Sequence, residues 1–475
     1  MKVTRTDIVI VGAGPAGLSA AIAAAESGAR VVVVDEYAKP GGQYFRQPQA
    51  NFKRINETFL GKSFQASKPV LRAVAESDRI EVRPNTLVWG AFDEGVLEVE
   101  TEDRCERLVG KRIIVATGAY EWPIPFPGWT LPGVTTAGAA QTLLKAQFVL
   151  PGKRILLSGT GPFQLPVATQ LVQAGGNVVE ILEALSARNF FRPFPKPWLH
   201  LDKLLEAKTY YAALLRHRVP LRYGQAVIEV RGTSRLEEAV VAPLSQDGLP
   251  LRDKARIIAV DSLLTNFGFI PSLQLVRLLG CATQWDEAGA SWVAQCDDAQ
   301  RSSLPNVLLA GEVTGIAGHR VAMAEGTLAG LTAAADLGLI SPAQHAKLSV
   351  EPRKRRLRHQ EFADYLKQNF TPRASMYLNI TGETIVCRCE EVTADQVRDV
   401  ALEWKGSLRA IKQCTRAGMG QCQGRICEAT ITRIAAQVCG ETLEGIGRDT
   451  ARPQIKPVSL NALSESIAEG CERSS

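Results

Sequence analysis

The sequence predicts an α/β protein in which two interleaved Rossmann-like dinucleotide-binding domains precede a small C-terminal cysteine module. Three observations carry this. The turn Gly12-Ala13-Gly14-Pro15-Ala16-Gly17 joins an apolar strand to a small-residue helix; a second unit of the same kind begins at Arg154; and four of the ten cysteines fall in two close pairs beyond residue 386. At about 150 residues per domain, 475 residues suffice for several cores. With 45% apolar and 22% charged residues, usage is ordinary, which excludes disorder, collagen-like repeats and coiled coil for the chain as a whole.

The first unit reads in order. Asp7 to Val11 is an apolar strand, Leu18 to Ser27 a small-residue helix, and Val31 to Val34 a second strand ending at Asp35 and Glu36. Gly12 permits the tight turn, Gly14 lets a pyrophosphate approach the backbone, and Gly17 lets helix and strand pack closely. Phosphates then meet the free N–H groups of a helix N-terminus. Asp35 lies where a carboxylate accepts hydrogen bonds from an adenosine ribose. A hairpin follows, Thr86 to Phe92 and Val96 to Thr101 around Asp93-Glu94-Gly95. The strand Ile113-Ile114-Val115 then ends in Ala116-Thr117-Gly118.

The second unit runs from Arg154 to Ser158, turns at Gly159-Thr160-Gly161-Pro162, and reaches the strand Asn177 to Leu182 with Glu183. Its third glycine position holds Gln164. A long side chain there obstructs helix packing or ligand approach, so bound NAD(P) is not expected. Short runs, Ala226 to Val230 and Ile257 to Val260, lead to Asn306-Val307-Leu308-Leu309-Ala310-Gly311-Glu312 and a helix containing Gly326 and Ala329. Residues 1–145 and 263–340 are thus assigned to the first domain and 146–262 to the second. A linker spans 341–383, the cysteine module 384–440 and a polar C-terminal tail 441–475, read as a docking tail or partly disordered.

A net charge of +6 is too weak a field to argue for nucleic acid. The one basic run, Arg353-Lys354-Arg355-Arg356-Leu357-Arg358, reads as a solvated linker, with contact to an acidic partner or a membrane periphery left open. An apolar strand begins at Ile8, leaving no room for a signal peptide, and no 18-residue apolar stretch follows, so a cytoplasmic, non-spanning chain is expected. In that compartment cysteines are ligands, catalysts or core thiols before they are disulfides.

Cys387-x-Cys389, then Cys422 and Cys427, place four thiols in two pairs on two loops. A [2Fe-2S] cluster takes four thiolates, two per iron. Zinc also accepts four thiolates but usually on CxxC knuckles, and unmetallated core thiols are the remaining reading. Arg388, Lys412, Arg416 and Arg425 are placed to offset thiolate charge, while Gly418, Gly420 and Gly424 free backbone N–H groups for the sulfurs. Cys414, Cys439 and Cys471 read as packing or surface residues. The five histidines form no nucleophile or base pattern, and His319 reads as packing. The aromatic stretch Phe190 to Trp198 suggests an intermolecular contact.

Gly12 to Gly17 with Asp35, the Pro40-Gly41-Gly42-Gln43 turn, Ala116-Thr117-Gly118 and Ala310-Gly311-Glu312 together resemble the two-dinucleotide-domain flavoproteins, the ferredoxin and thioredoxin reductases. The resemblance implies FAD, contacted by Gly12, Ala13, Gly14, Pro15, Ala16, Gly17, Asp35, Glu36, Gly41, Gly42, Gln43, Val88, Ala116, Thr117, Gly118, Gly311 and Glu312. Glu312 replaces the family's usual Asp. Disulfide reductase activity is not expected, because Gly41-Gly42-Gln43-Tyr44 carries no cysteine and Cys281 and Cys296 lack CxxC spacing. The run from Thr415 to Arg425 resembles the bacterioferritin-associated-ferredoxin-like (BFD-like) domain, which implies a helical [2Fe-2S] module with Cys387, Cys389, Cys422 and Cys427 as ligands.

Nearly the whole chain resembles the alpha-type subunits of FAD/[2Fe-2S] amine dehydrogenase complexes, such as opine oxidase, hydrogen cyanide synthase and D-hydroxyproline dehydrogenase. That resemblance implies an electron conduit without catalytic residues of its own. It also implies that the partner is a D-amino-acid-oxidase-like FAD beta subunit, with FMN between the two proteins, and in some complexes a small [2Fe-2S] gamma subunit. Two other readings stay open: a self-sufficient NAD(P)H-dependent reductase, and a scaffold holding ADP or ATP with a structural cluster.

Overall fold

A computed structural model of the chain describes residues 2–49, 60–102, 104–190 and 200–472. The first unit opens with β1 (Lys2–Val11), α1 (Pro15–Glu26) and β2 (Val31–Val34), in which four successive valines are buried on both faces, as a parallel strand between helix layers requires. After α2 (Gly61–Glu76) and β3 (Ile80–Arg83) come the hairpin strands β4 (Thr86–Ala91) and β5 (Val96–Thr101) and the long strand β6 (Arg104–Val115). The sheet order is β3-β2-β1-β6-β5-β4, parallel through β1, β2 and β3 and from β1 to β6, antiparallel in the hairpin.

A short strand, β7 (Ala119–Glu121), leads into the second unit: β8 (Val134–Thr136), α3 (Ala137–Thr142), β9 (Ile155–Gly159), α4 (Gln164–Gln173), β10 (Val178–Glu183), α5 (Ala187–Phe190), α6 (Leu201–Arg216) and β11 (Leu221–Tyr223). A meander, β12 (Gln225–Arg231), β13 (Glu238–Pro243) and β14 (Arg256–Ala259), precedes β15 (Ser262–Asn266). The second sheet is parallel with order β11-β10-β9-β15-β8. It therefore draws its strands from residues 134 to 266, wider than the 146–262 read from sequence, because β8 is too short to stand out before α3.

The chain returns through β16 (Phe269–Pro271), antiparallel to β7, then α7 (Gln274–Leu279), the pair β17 (Thr283–Asp286) and β18 (Ser291–Ala294), and β19 (Val307–Leu309), which joins the first sheet beside β6. Helix α8 (His319–Asp336) lies against α1 at close range: a Cβ on Gly326 would stand 2.0 Å from the Ala16 carbonyl oxygen, and one on Gly330 2.3 Å from that of Ala20.

The expected linker is instead largely helix. Ser341 opens α9 (Pro342–Phe370) with a capping box closed by Gln344, and the basic run occupies its solvent side except for Arg356, whose Nε reaches within 3.6 Å of Glu325. The cysteine module comprises β20 (Ile385–Cys387), β21 (Val392–Thr393), α10 (Ala394–Glu403), α11 (Leu408–Thr415) and α12 (Glu428–Cys439), with Val386, Val397, Ile411 and Ile434 in its core against Trp122 and Phe267. After α13 (Leu443–Ile446), the tail returns to the first sheet. Ile455 enters that sheet's core, and α14 (Leu460–Glu472) sets Ala462 on Trp89. Among the described residues no helix is long and apolar enough to cross a membrane.

Candidate cofactor sites

The first glycine turn is built by close backbone approach. A Cβ on Gly12, whose φ is +107°, would stand 2.3 Å from the Ala116 carbonyl oxygen, and one on Gly17 1.8 Å from that of Gly12. Gly14, between them, has nothing within 4 Å of that position. The turn is therefore open only at Gly14, followed by the N-terminus of α1. Gly41 donates its N–H to the Ala13 carbonyl at 2.7 Å, and Gly42 passes so near that its Cβ would lie 2.8 Å from the Gly14 Cα, setting the Pro40 to Gln43 turn over the first.

Asp35 follows β2 directly and faces the turn. Its buried carboxylate accepts the Ala13 N–H at 2.6 Å and the Tyr37 N–H at 2.8 Å, so it braces the turn; burial pushes its carboxyl above the ordinary value against those bonds. Glu36, beside it and part-exposed, pairs with Lys456 of the tail. Val88 is packed in the core with Val32 and Val34. Gln43 bonds the Tyr37 hydroxyl and Arg46. Ala116 continues the sheet to Val11, while Thr117 donates its hydroxyl to the Ser272 carbonyl at 2.9 Å and the Gly118 carbonyl accepts the Ser272 N–H at 2.9 Å.

At the return, Glu312 turns onto the backbone ahead of α8, accepting the Gly318 N–H at 2.7 Å, and burial pushes its carboxyl up to about 7. Glu325, which the sequence pattern did not single out, is buried and accepts both the Gly311 N–H and the Thr314 hydroxyl at 2.9 Å. Its signal was that of a carboxylate amid the alanines, glycines and leucines of the α8 interior, the helix's other acid being Asp336 at its end. His319 stacks on Tyr44 with ring centroids 3.7 Å apart, and burial holds it down at about 3, a neutral packing group.

The second turn is more crowded than the first. Phe370, at the end of α9, lies 3.6 Å from where a Cβ on Gly161 would be. Gln164 is buried beside Glu183, whose carboxylate accepts the Gly161 and Leu185 N–H groups at 2.9 Å each and is pushed up to about 7 by burial. Glu183 thus braces its turn as Asp35 braces the first. Between this turn and Glu312 remains a cavity of about 320 Å³, walled by Trp122, Phe163, Phe269 and Phe362 and by Asn266, whose buried Oδ1 has no hydrogen-bond partner among the described residues.

In the cysteine module the four thiols stand as two pairs, each bridging the two loops. Cys387 is hydrogen-bonded to Cys427, and the Gly418, Glu390 and Cys389 N–H groups also reach its sulfur; together they pull its thiol down to about 5. Cys389 is bonded to Cys422, whose sulfur also receives the Ile426 and Gly424 N–H groups while burial pushes it up. Among the described residues no three or more His, Cys, Asp or Glu are gathered closely enough to hold a single ion. Paired soft donors with backbone N–H groups on the sulfur are nonetheless the donor chemistry of a cluster with two thiolates per iron. Gly420 admits the close loop contact, since its Cβ would lie 2.2 Å from that of Cys389.

The basic residues near the thiols have other partners. Arg388 donates to the Thr130 carbonyl at 3.3 Å, Lys412 pairs with Asp449 at 2.8 Å, Arg416 with Glu390 at 2.8 Å, and Arg425 donates to the Tyr120 hydroxyl at 2.6 Å. Three of these contacts tie the module to the body or the tail. Cys414 is exposed and Cys439 bonds the Ala401 carbonyl at 3.4 Å. Cys281 and Cys296 are unpaired thiols. Phe191 to Trp198, within the suggested contact stretch, and the Cys471 side chain lie outside the described residues.

Residues 6–326 match the pyridine nucleotide-disulphide oxidoreductase family, and residues 385–437 match the BFD-like [2Fe-2S] binding domain. The chain is 34% identical over 476 aligned residues to an opine oxidase subunit from Rhizobium meliloti, covering 97% of this chain and 87% of that one. It is 33% identical to the hydrogen cyanide synthase subunit HcnB of Pseudomonas aeruginosa, covering 88% and 90%. Its fold is like that of L-proline dehydrogenase from P. horikoshii, with a TM-score of 0.71 at 20% identity over 97% of this chain and 80% of that one. By the match over residues 6–326 the chain belongs to the pyridine nucleotide-disulphide oxidoreductase family, and with its BFD-like module it is an oxidoreductase among the relatives of the opine oxidase and hydrogen cyanide synthase proteins.

Proposed function

We propose that this chain is the FAD- and [2Fe-2S]-binding, electron-transferring subunit of a hetero-oligomeric dehydrogenase that oxidises a secondary amine or amino acid in a partner subunit. The observation that carries the reading is the pairing, in one chain, of an open dinucleotide turn with a four-thiol module, while in the second turn Phe370 stands 3.6 Å from the Gly161 Cβ position and the buried Gln164 takes the place of the third glycine. Relatives named as subunits of opine oxidase and hydrogen cyanide synthase support a partner. We assign that partner as a D-amino-acid-oxidase-like protein with its own FAD, in the cytoplasm; FMN between the subunits and a small [2Fe-2S] subunit extend the same reading.

Gly12 to Gly17, with Gly41 and Gly42 over them, would hold the flavin nucleotide, and Cys387, Cys389, Cys422 and Cys427 the cluster. When bound, these groups supply one- and two-electron redox chemistry. The chain's part is to bind and orient them and to hold His319 neutral beside Tyr44. No side chain described in either site is arranged as an acid-base pair, consistent with bond breaking elsewhere. The test is to purify the full chain anaerobically, extract its nucleotide, measure iron and add NADH. We expect FAD, about two irons per chain, and a flavin that NADH leaves oxidised but an amine reduces once the partner is co-expressed. Rapid bleaching by NADH would favour a self-sufficient reductase, and ADP or ATP in place of FAD a scaffold.

A further inference from the structure

A continuous set of hydrogen bonds joins the end of the Ala116-Thr117-Gly118 strand to the cysteine loops. Ser272 is fixed by Thr117 and Gly118, and its hydroxyl meets the Tyr120 hydroxyl at 2.7 Å. Tyr120, two residues beyond Gly118, also donates to Gln274 at 3.0 Å and accepts from Arg425 Nε at 2.6 Å. The Arg425 guanidinium lies over the Tyr120 ring, 5.5 Å from its centroid. Its other nitrogens donate to the Cys422 carbonyl at 3.0 Å and to the tail's Ile455 carbonyl at 2.8 Å. One planar fork thus grips three separate segments: β7 of the first unit, the loop between two of the thiols, and the tail.

We propose that Arg425, held by Tyr120, is a positioning residue that fixes the Cys422–Cys427 loop against the Gly118 turn and keeps a cation on the Cys422 carbonyl, thereby setting the potential of the group the thiols hold. This rests on the reading that the thiols hold a [2Fe-2S] cluster. Two physical facts give the sign. Reduction adds negative charge to a cluster, so a nearby guanidinium favours the reduced form, and hydrogen bonding and charge around the thiolates are known levers on potential. A lysine keeps the charge but cannot make three bonds in the fixed geometry of the fork.

The full chain carrying Arg425→Gln, Arg425→Lys or Tyr120→Phe is purified anaerobically beside the wild type, and iron content, EPR g-values and midpoint potential are measured. We expect R425Q to shift the potential to more negative values with altered g-values, R425K to recover the larger part of that shift, and Y120F, which leaves every loop atom in place, to give a smaller shift of the same sign. Wild-type g-values and potential in iron-replete R425Q or Y120F would overturn the proposal. Should R425Q fail to load iron, Y120F alone decides. A wild-type chain without iron would instead remove the cluster reading on which the proposal stands.

Discussion

Gly14 and Gly17 sit three residues apart in one turn and answer to different constraints. A methyl on Gly17 would stand 1.8 Å from a carbonyl oxygen, whereas one on Gly14 meets nothing within 4 Å. G17A is therefore expected to cost about 3 kcal/mol or more, an overpacking penalty against backbone that cannot yield, seen as a lowered Tm. G14A should keep its Tm and lose flavin, because only the ligand claims that space; a G14A chain with full flavin content would contradict the assignment of the turn. Glu183 gives a second residue-scale expectation. A carboxyl that holds its proton more tightly folded than unfolded loses stability as pH rises between the two values. For Glu183 that window runs from 4.5 to about 7, and Glu312 shares it. Thermal unfolding followed across the window should show stability falling as pH rises, and E183Q should flatten that slope without abolishing it. At this scale the glycine turns were legible, because their spacing is local, while the pairing of the thiols across the two loops, Cys387 with Cys427 and Cys389 with Cys422, was not. Glu325 and Ser272 were not, since a carboxylate reaching a backbone N–H 14 residues away, or a serine bonding a strand end 155 residues away, leaves no short-range pattern.

Helices α1 and α8 meet through glycine and alanine, and their closeness brings Gly311 of the return loop within 2.8 Å, measured from its would-be Cβ, of the Ala16 methyl. Replacing Gly326 by valine must push the two helices apart at Ala16, so G326V is expected to lower Tm and flavin content together, with a cost on the order of 3 kcal/mol. Loss of neither, by calorimetry and extraction, would show that the helix contact does not set the turn. The strands and helices of both dinucleotide units were readable from apolar runs and glycine turns. Helix α9 was missed, although Ser341 and Gln344 spell its capping box, because only Ser349 and Ala363 among its described residues are fully buried and its apolar face is broken by the basic run. Its end brings Phe370 within 3.6 Å of the Gly161 Cβ position, in the second turn that Gln164 had put in question.

Across the whole molecule, the tail ties the cysteine module to the first sheet. Asp449 pairs with Lys412, Ile455 bonds Arg425 and enters the sheet core, Lys456 pairs with Glu36, Ser459 donates to Glu100, and Glu465 accepts the Cys105 N–H at 3.1 Å. A chain ending at Gly447 should lose these ties at once. We expect it to fold with both dinucleotide units intact by circular dichroism, to expose Trp89, and to release iron faster to a chelator than the full chain; equal release rates would show that the module holds its own place. The sequence marked this segment as a docking tail from its polarity and position, while its landing points lie on strands more than 300 residues earlier and carry no mark of it.

The first sheet is completed only by Val307–Leu309, which pair with Ile113 to Val115, whereas all five strands of the second sheet lie between residues 134 and 266. As the polypeptide leaves the ribosome, the inserted unit has every strand it needs while the surrounding one still presents three apolar residues as an unpaired edge. Such edges recruit other chains. Until residues 307 to 309 have been made that edge stays open, so a nascent chain still short of residue 307 carries a site for such recruitment that the finished chain does not.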